Sequence, residues 1–258
     1  MLLDDKVAVI YGAGGGLGGA VARAFAAEGA IVHAVGRDGA ALRKLVDEIG
    51  PTADAAEVDA FDADAVDADV DSVVERHGRL DVSFNLIGVD HVQGIPLIDM
   101  TPEQFVQGVG ARALTHFVTA RAAARHMVTR GSGVILTLTA TPDRVAIPNA
   151  GSFGIQCAAV ESFTRALAVE VGNRGVRVCC LRSAGSPDAA GVDEVFDMHA
   201  ENAGLTREEF DGERSRGTLL GRLPRLREVA QIATFLASDR ANAMTGTITN
   251  VTCGELLD

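Results

Sequence analysis

Short apolar runs alternate with longer stretches of helical spacing along almost the whole chain. Lys6–Tyr11 is a compact apolar run that stops at glycines, the pattern of a parallel strand buried on both faces. From Leu17 to Glu28 the apolar positions recur at helical intervals, and Gly29 supplies a C-terminal stop. Ala30–Val35 repeats the strand pattern. Asp38 then offers an N-cap for a helix through Glu48, which Gly50-Pro51 closes. The alternation continues with a strand over Ala56–Asp59, a helix over Ala63–His77 and a strand over Asp81–Ile87. One long helix is predicted over Pro102–Arg130 despite glycines at 108 and 110. Gly133–Leu138, Ser152–Gly172, Val176–Leu181, Arg227–Ser238 and Thr247–Thr252 complete the series as strand, helix, strand, helix and strand.

Strands and helices at this pitch imply right-handed βαβ crossovers. The predicted fold class is α/β: a single-domain Rossmann fold over residues 1–258, with a doubly wound parallel sheet of about seven strands flanked by helices. Residues 186–220 break the pattern. They are polar, acidic and weakly periodic, and too long for an ordinary connection, so they are expected to form a substrate lid or binding loop.

Composition narrows the function classes. The formal charge of −12 argues against nucleic acid and anionic membrane as partners, since both need a basic footprint. An apolar content of 47% argues against disorder. No stretch approaches the roughly 20 uncharged apolar residues of a membrane span. Met1–Lys6 lacks the apolar run of a signal peptide, so a cytoplasmic protein is expected. Cys157, Cys179, Cys180 and Cys253 show neither zinc nor thioredoxin spacing and read as core residues in a reducing compartment. The acidic run from Asp62 to Asp71 lacks the glycine and closing glutamate of a calcium loop. It reads as a solvated helix start, and no metal site is expected. His33 reads as a core or edge histidine, and Asp90-His91 as a surface loop, with an acid pair near a pocket rim as the alternative.

The glycine-rich turn from Tyr11 to Gly19 joins the first strand to the first helix. Glycines there allow a tight turn and close approach to a pyrophosphate, while the helix N-terminus offers free N–H groups. Two frames fit: Gly14/Gly16/Gly19 and Gly12/Gly16/Gly18. The second strand ends at Gly36-Arg37. Arg37 can pair with a ribose 2′-phosphate, so NADP(H) is favoured over NAD(H).

At this point the whole chain resembles the short-chain dehydrogenase/reductase family. The resemblance rests on the Gly12/Gly16/Gly18 frame, Val58-Asp59 after the third strand and Asp81–Gly88. It is reinforced by Gly221-Arg222-Leu-Pro, Glu228-Val-Ala, Phe235–Asp239 and Thr245-Gly246. It implies cofactor contacts at Gly12, Gly14, Gly15, Gly16, Leu17, Gly18, Arg37, Asp59, Ala60, Asn85, Leu86 and Ile87. It also implies a dimer or tetramer built on helices 102–130 and 152–172.

The family's reaction uses asparagine, serine, tyrosine and lysine. The corresponding positions here are Arg112, Ala140, Phe153 and Cys157. Tyr11 is the only tyrosine, and Lys6 and Lys44 are the only lysines, so no shift of register restores the tetrad. A phenyl ring carries no exchangeable proton, and general acid–base help is typically worth about 10²–10⁴ in rate. The resemblance therefore implies a degenerate active site, and Tyr-dependent carbonyl reduction is not expected. Arg112, Thr139, Thr141, Arg144 and Phe153, with His116 one turn beyond Arg112, remain as candidates lining a pocket for an unidentified small-molecule substrate. Cys157 reads as a buried small residue. Three readings stay open: an NADPH-dependent oxidoreductase acting on an activated C=C or C=N bond, a non-catalytic NADP(H)-binding pseudoenzyme or partner subunit, and a non-redox enzyme on the same scaffold.

Overall fold

In a computed structural model of the chain, residues 1–189 and 191–257 are described, so residue 190 of the expected lid and residue 258 lie outside it. Seven parallel strands form one sheet in the order β3-β2-β1-β4-β5-β6-β7. They are β1 (Val7–Tyr11), β2 (Ile31–Gly36), β3 (Ala53–Glu57), β4 (Val82–Asn85), β5 (Gly133–Ala140), β6 (Val176–Ser183) and β7 (Ile248–Val251). The helices are α1 (Gly16–Ala27), α2 (Gly39–Ile49), α3 (Ala63–His77), α4 (Pro102–Arg130), α5 (Phe153–Val171), α6 (Val192–Ala203), α7 (Arg207–Arg216) and α8 (Leu226–Ala237).

Strand alternation splits the core into two layers. Ala8 and Ile10 of β1 pack with Phe25 of α1, Leu42 of α2 and Val229 of α8 on one face. Val7, Val9 and Tyr11 pack with Val70 of α3, Val118 of α4 and Ala168 of α5 on the other. Burial of both faces is why these strands read as continuous apolar runs. The strand order reverses between β1 and β4, which opens a crevice at the carboxyl ends of the strands.

Three expectations are corrected. The third strand is Ala53–Glu57, not Ala56–Asp59, because Ala53 to Glu57 pair residue by residue with Val32 to Gly36 of β2. The acidic start of α3 is only partly solvated. Asp62 caps the helix, whereas Asp69 is buried against His33 Nε2 at 3.0 Å and Asp67 binds Arg121 and Arg125 from α4. Within 186–220, α6 and α7 replace the expected loop. Phe196, His199 and Ala200 bury one face of α6, Thr206 and Glu209 form a capping box on α7, and Arg207 ties Asp193 and Asp197 to Asp211.

Candidate active site

A cavity of about 270 Å³ lies at the crevice, lined by the strand ends Gly12, Gly36, Arg37, Val58, Asp59, Leu86 and Ile87, with Gly14, Gly15 and Ala60. Its geometry depends on two glycines. Gly12 has φ 77°, and a Cβ there would stand 2.7 Å from the Leu86 carbonyl oxygen. A Cβ on Gly18 would strike the Gly12 carbonyl, whereas one on Gly19 would meet mainly the flexible end of Arg23. The steric demand thus falls on the Gly12/Gly16/Gly18 frame. Gly15 precedes α1 without any side-chain cap, which leaves first-turn N–H groups for an anion. Arg37 is exposed at the rim, and the Asp38 carboxylate is engaged by Ala40 N and Ala41 N as the cap of α2. A cradle closed to side chains, beside an uncapped helix and an arginine, fits a dinucleotide phosphate.

Four expected contact residues sit behind the lining. Gly16, Leu17 and Gly18 belong to the first turn of α1. Asn85 is buried: its Oδ1 accepts from Ile87 N at 3.0 Å and its Nδ2 donates to Thr119 Oγ1 at 3.0 Å, so its amide pins the end of β4 to α4.

A second cavity of about 250 Å³ adjoins the first, and Gly88 lines both. Arg112, Ala140, Thr141 and Phe153 face it together with His91, Gln93, Phe196, His199 and Arg214. Arg112 comes from α4. Its Nε donates to Gln156 Oε1 at 3.1 Å, Gln156 Nε2 donates to Ser152 Oγ at 3.2 Å, and its guanidinium carbon lies 5.6 Å from the centre of the Phe153 ring. Burial pulls the Arg112 pKa down. Gly108, one turn earlier, has no side chain where Gln156 and His91 come in: a Cβ there would meet Gln156 Nε2 and lie 2.7 Å from His91 Cβ. Gly154 likewise lets α5 approach the Pro142 carbonyl, which sets Phe153 beside the turn after β5.

Other expected pocket residues do not line the cavity. Cys157, expected as a buried small residue, is buried behind it, and burial raises its thiol pKa. Thr139 Oγ1 donates to the Cys157 carbonyl at 3.3 Å. Arg144 is exposed beyond the turn after β5. His116 is fully buried, with Nδ1 donating to the Arg112 carbonyl at 2.9 Å, and burial lowers its pKa to about 4.

His91 is the residue that sequence reasoning assigned to the surface. Its ring stacks on Phe153, with centroids 4.9 Å apart and planes at 19°. Its Nδ1 donates to the Val89 carbonyl at 2.9 Å, so its Nε2 accepts from Gln93 Nε2 at 2.7 Å. Gln93 Oε1 accepts from His199 Nε2 at 2.9 Å, which ties the segment after β4 to α6. The helical spacing of Phe196 and His199 was a signal for α6, and the place of Asp90-His91 just after the fourth strand was the signal for a pocket rim.

The comparisons extend over nearly the full chain. A family model described as Enoyl-(Acyl carrier protein) reductase matches residues 12–255. The chain is 31% identical to versicolorin reductase stcU of Emericella nidulans, over 98% of this chain and 96% of that protein. It is 33% identical to an A-factor type gamma-butyrolactone 1'-reductase (1S-forming) of Streptomyces virginiae, over 95% of this chain and 93% of that protein. A 3-ketoacyl-(acyl-carrier-protein) reductase from Brucella melitensis, solved in complex with NADH, superposes with a TM-score of 0.85 at 28% identity, covering 99% of this chain and 100% of that one.

Proposed function

Because the chain belongs to the short-chain dehydrogenase/reductase family, we propose that it is an NADP(H)-binding oxidoreductase whose acceptor is an activated C=C or C=N bond and not a simple ketone. The observation that carries the reading is the pairing of a cradle suited to phosphate with an adjoining apolar cavity that has Phe153 where a phenol is required. The relatives are oxidoreductases, and their names supply the general class of chemistry.

When bound, NADP(H) supplies the hydride. A ketone that accepts hydride becomes an alkoxide needing prompt protonation, and the family's four positions hold Arg112, Ala140, Phe153 and Cys157. A conjugated acceptor spreads the same charge over an enolate. Arg112 can balance that charge electrostatically, in surroundings where a fixed cation acts strongly, although it is a poor proton donor. The apolar walls from Phe153, Ile147, Val195 and Phe196 exclude water from the reacting bond. Arg37 at the rim supports preference for the 2′-phosphate.

We also assign the exposed Leu114 and Phe117 of α4, beside a groove whose walls include Phe163 and Leu167 of α5, to a homo-oligomer contact. The chain has no helix long and apolar enough to cross a membrane among the described residues, and a cytoplasmic site of action is proposed with the rest.

Titration with NADPH and NADH, followed by a panel of conjugated enones, quinones, iminium salts and simple ketones monitored at the nicotinamide absorbance, tests the reading. NADPH should bind more tightly, and the conjugated acceptors alone should be reduced. Failure of both nucleotides to bind overturns it, and NADPH binding without turnover of any acceptor favours the non-catalytic subunit.

A further inference from the structure

The second cavity holds a cation with no counter-charge. Arg112 is half-buried beside Phe153 and Gln156, and its Nε donates to a neutral amide. No carboxylate among the described residues forms a salt bridge with it. The Cys157 thiol, which its charge reaches, is held neutral by burial. Arg214, the other arginine of the cavity, differs: it pairs with Glu255 at 3.1 Å and donates to the Ala184 carbonyl at 2.7 Å. Gln156 positions this charge at the cavity wall and leaves its terminal nitrogens for a ligand.

The rest of the wall selects shape. Phe153, stacked on His91, and Phe196 supply aromatic lining. Ala140, Ile147, Ala150, Ala184 and Val192 add apolar area. A volume of about 250 Å³ lies below the roughly 300–1,000 Å³ of drug-sized sites, which sets the ligand at one or two rings.

We infer that this cavity binds a small planar conjugated oxyanion, an aryl carboxylate or an ionised enol, with its anionic oxygen on Arg112 and its ring plane against Phe153. The inference rests on the reading of this cavity as the substrate site and deepens it by naming the charge and shape of the ligand that Arg112 would hold. The ligand then completes the ion pair that the chain leaves open, and its ring fills the apolar remainder.

Isothermal titration of the full chain, with and without saturating NADP⁺, tests this with four probes. They are 2-naphthoate, its neutral amide 2-naphthamide, the non-planar anion cyclohexanecarboxylate, and 2-hydroxy-1,4-naphthoquinone, which is ionised at neutral pH. The two planar anions should bind at least about tenfold more tightly than naphthamide, since one charge-assisted contact is worth about 1.5–3 kcal/mol. Cyclohexanecarboxylate should bind at least about tenfold more weakly than naphthoate. Arg112→Met should remove the anion preference while leaving naphthamide affinity within about threefold. Equal binding of naphthoate and naphthamide by the unaltered protein overturns the inference, whether or not the variant folds. Retention of the preference in Arg112→Met overturns it as well. Tight NADPH binding without an anion preference defeats this inference and spares the proposed function. An anion preference without nucleotide binding defeats the proposed function and spares the cavity's ligand class.

Discussion

Two glycines two residues apart on α4 should respond to the same substitution with opposite sign. Gly110 is exposed, and a Cβ placed on it would have nothing within 4 Å, so Gly110→Ala gains only helix propensity, about 1 kcal/mol. Gly108 is buried against Gln156 and His91. Gly108→Ala gains the same propensity but drives a methyl group into the Gln156 amide. That amide has nowhere to swing: Gln156 is fully buried and holds both Arg112 Nε and Ser152 Oγ. Overpacking a filled core costs about 1–3 kcal/mol, and each buried polar group that loses its partner costs about 1–3 kcal/mol more. The net expectation is a loss of about 3 kcal/mol for Gly108→Ala, within a range of about 1–5, after the propensity gain is subtracted.

At roughly 2–4 °C per kcal/mol for a chain of this size, melting should fall by roughly 6–12 °C for the central Gly108→Ala value and rise by a few degrees for Gly110→Ala. Calorimetry or circular dichroism at one protein concentration reads both, and fixed concentration removes any mass-action contribution from assembly. Because Gln156 orients Arg112, Gly108→Ala should also weaken 2-naphthoate more than 2-naphthamide. A Gly108→Ala protein as stable as Gly110→Ala refutes the claim that the missing side chain at 108 makes room for the Arg112 support.

Arg37→Ala should weaken NADPH about tenfold or more and NADH by under about threefold, the size of one charge-assisted contact; equal losses in fluorescence titration would remove Arg37 from the 2′-phosphate. Buried His116 has its folded-state pKa at about 4, below the ordinary 6.5, and no acceptor faces its Nε2. The unfolded chain therefore takes up this proton first, so stability is unaffected above about pH 6.5, falls between about 6.5 and 4, and levels below that, for a total near 3 kcal/mol. Burial also lowers His91 and His199, which slope the same way, so the His116 share is read by comparing urea unfolding of the unaltered chain with His116→Asn across that window. An unchanged slope would show that His116 does not titrate as argued. Phe153→Tyr, Cys157→Lys and Ala140→Ser made together should create measurable NADPH-dependent ketone reduction; with NADPH still bound and no gain, the cavity itself must have diverged beyond its acid. Substituting Phe117→Asp on α4 should shift sizing chromatography towards monomer, and an unchanged elution volume would remove this face from the proposed assembly.

The fold was legible because parallel strands buried on both faces leave continuous apolar runs, and the glycine turn marks the crevice by steric necessity at Gly12 and Gly18. What escaped was set by distant partners. Ala53 belongs to β3 through its pairing with Val32, which no local preference for alanine announces. Asn85 carries a motif that suggests contact with a ligand, yet Thr119, thirty-four residues on, turns its amide inward. His91 looks polar and exposed beside Asp90 until Gly108 and Phe153 provide a slot for its ring. The same logic governs the reaction centre. Position alone made Arg112 a substitution; Gln156 and the absence of a carboxylate make it a directed, uncompensated charge. Gly108 leaves the space in which buried Gln156 holds Arg112 at the wall of an apolar cavity. On the inference drawn above, an anion opposite Arg112 would complete the ion pair that Gln156 leaves open, and the naphthoate and naphthamide titration decides it.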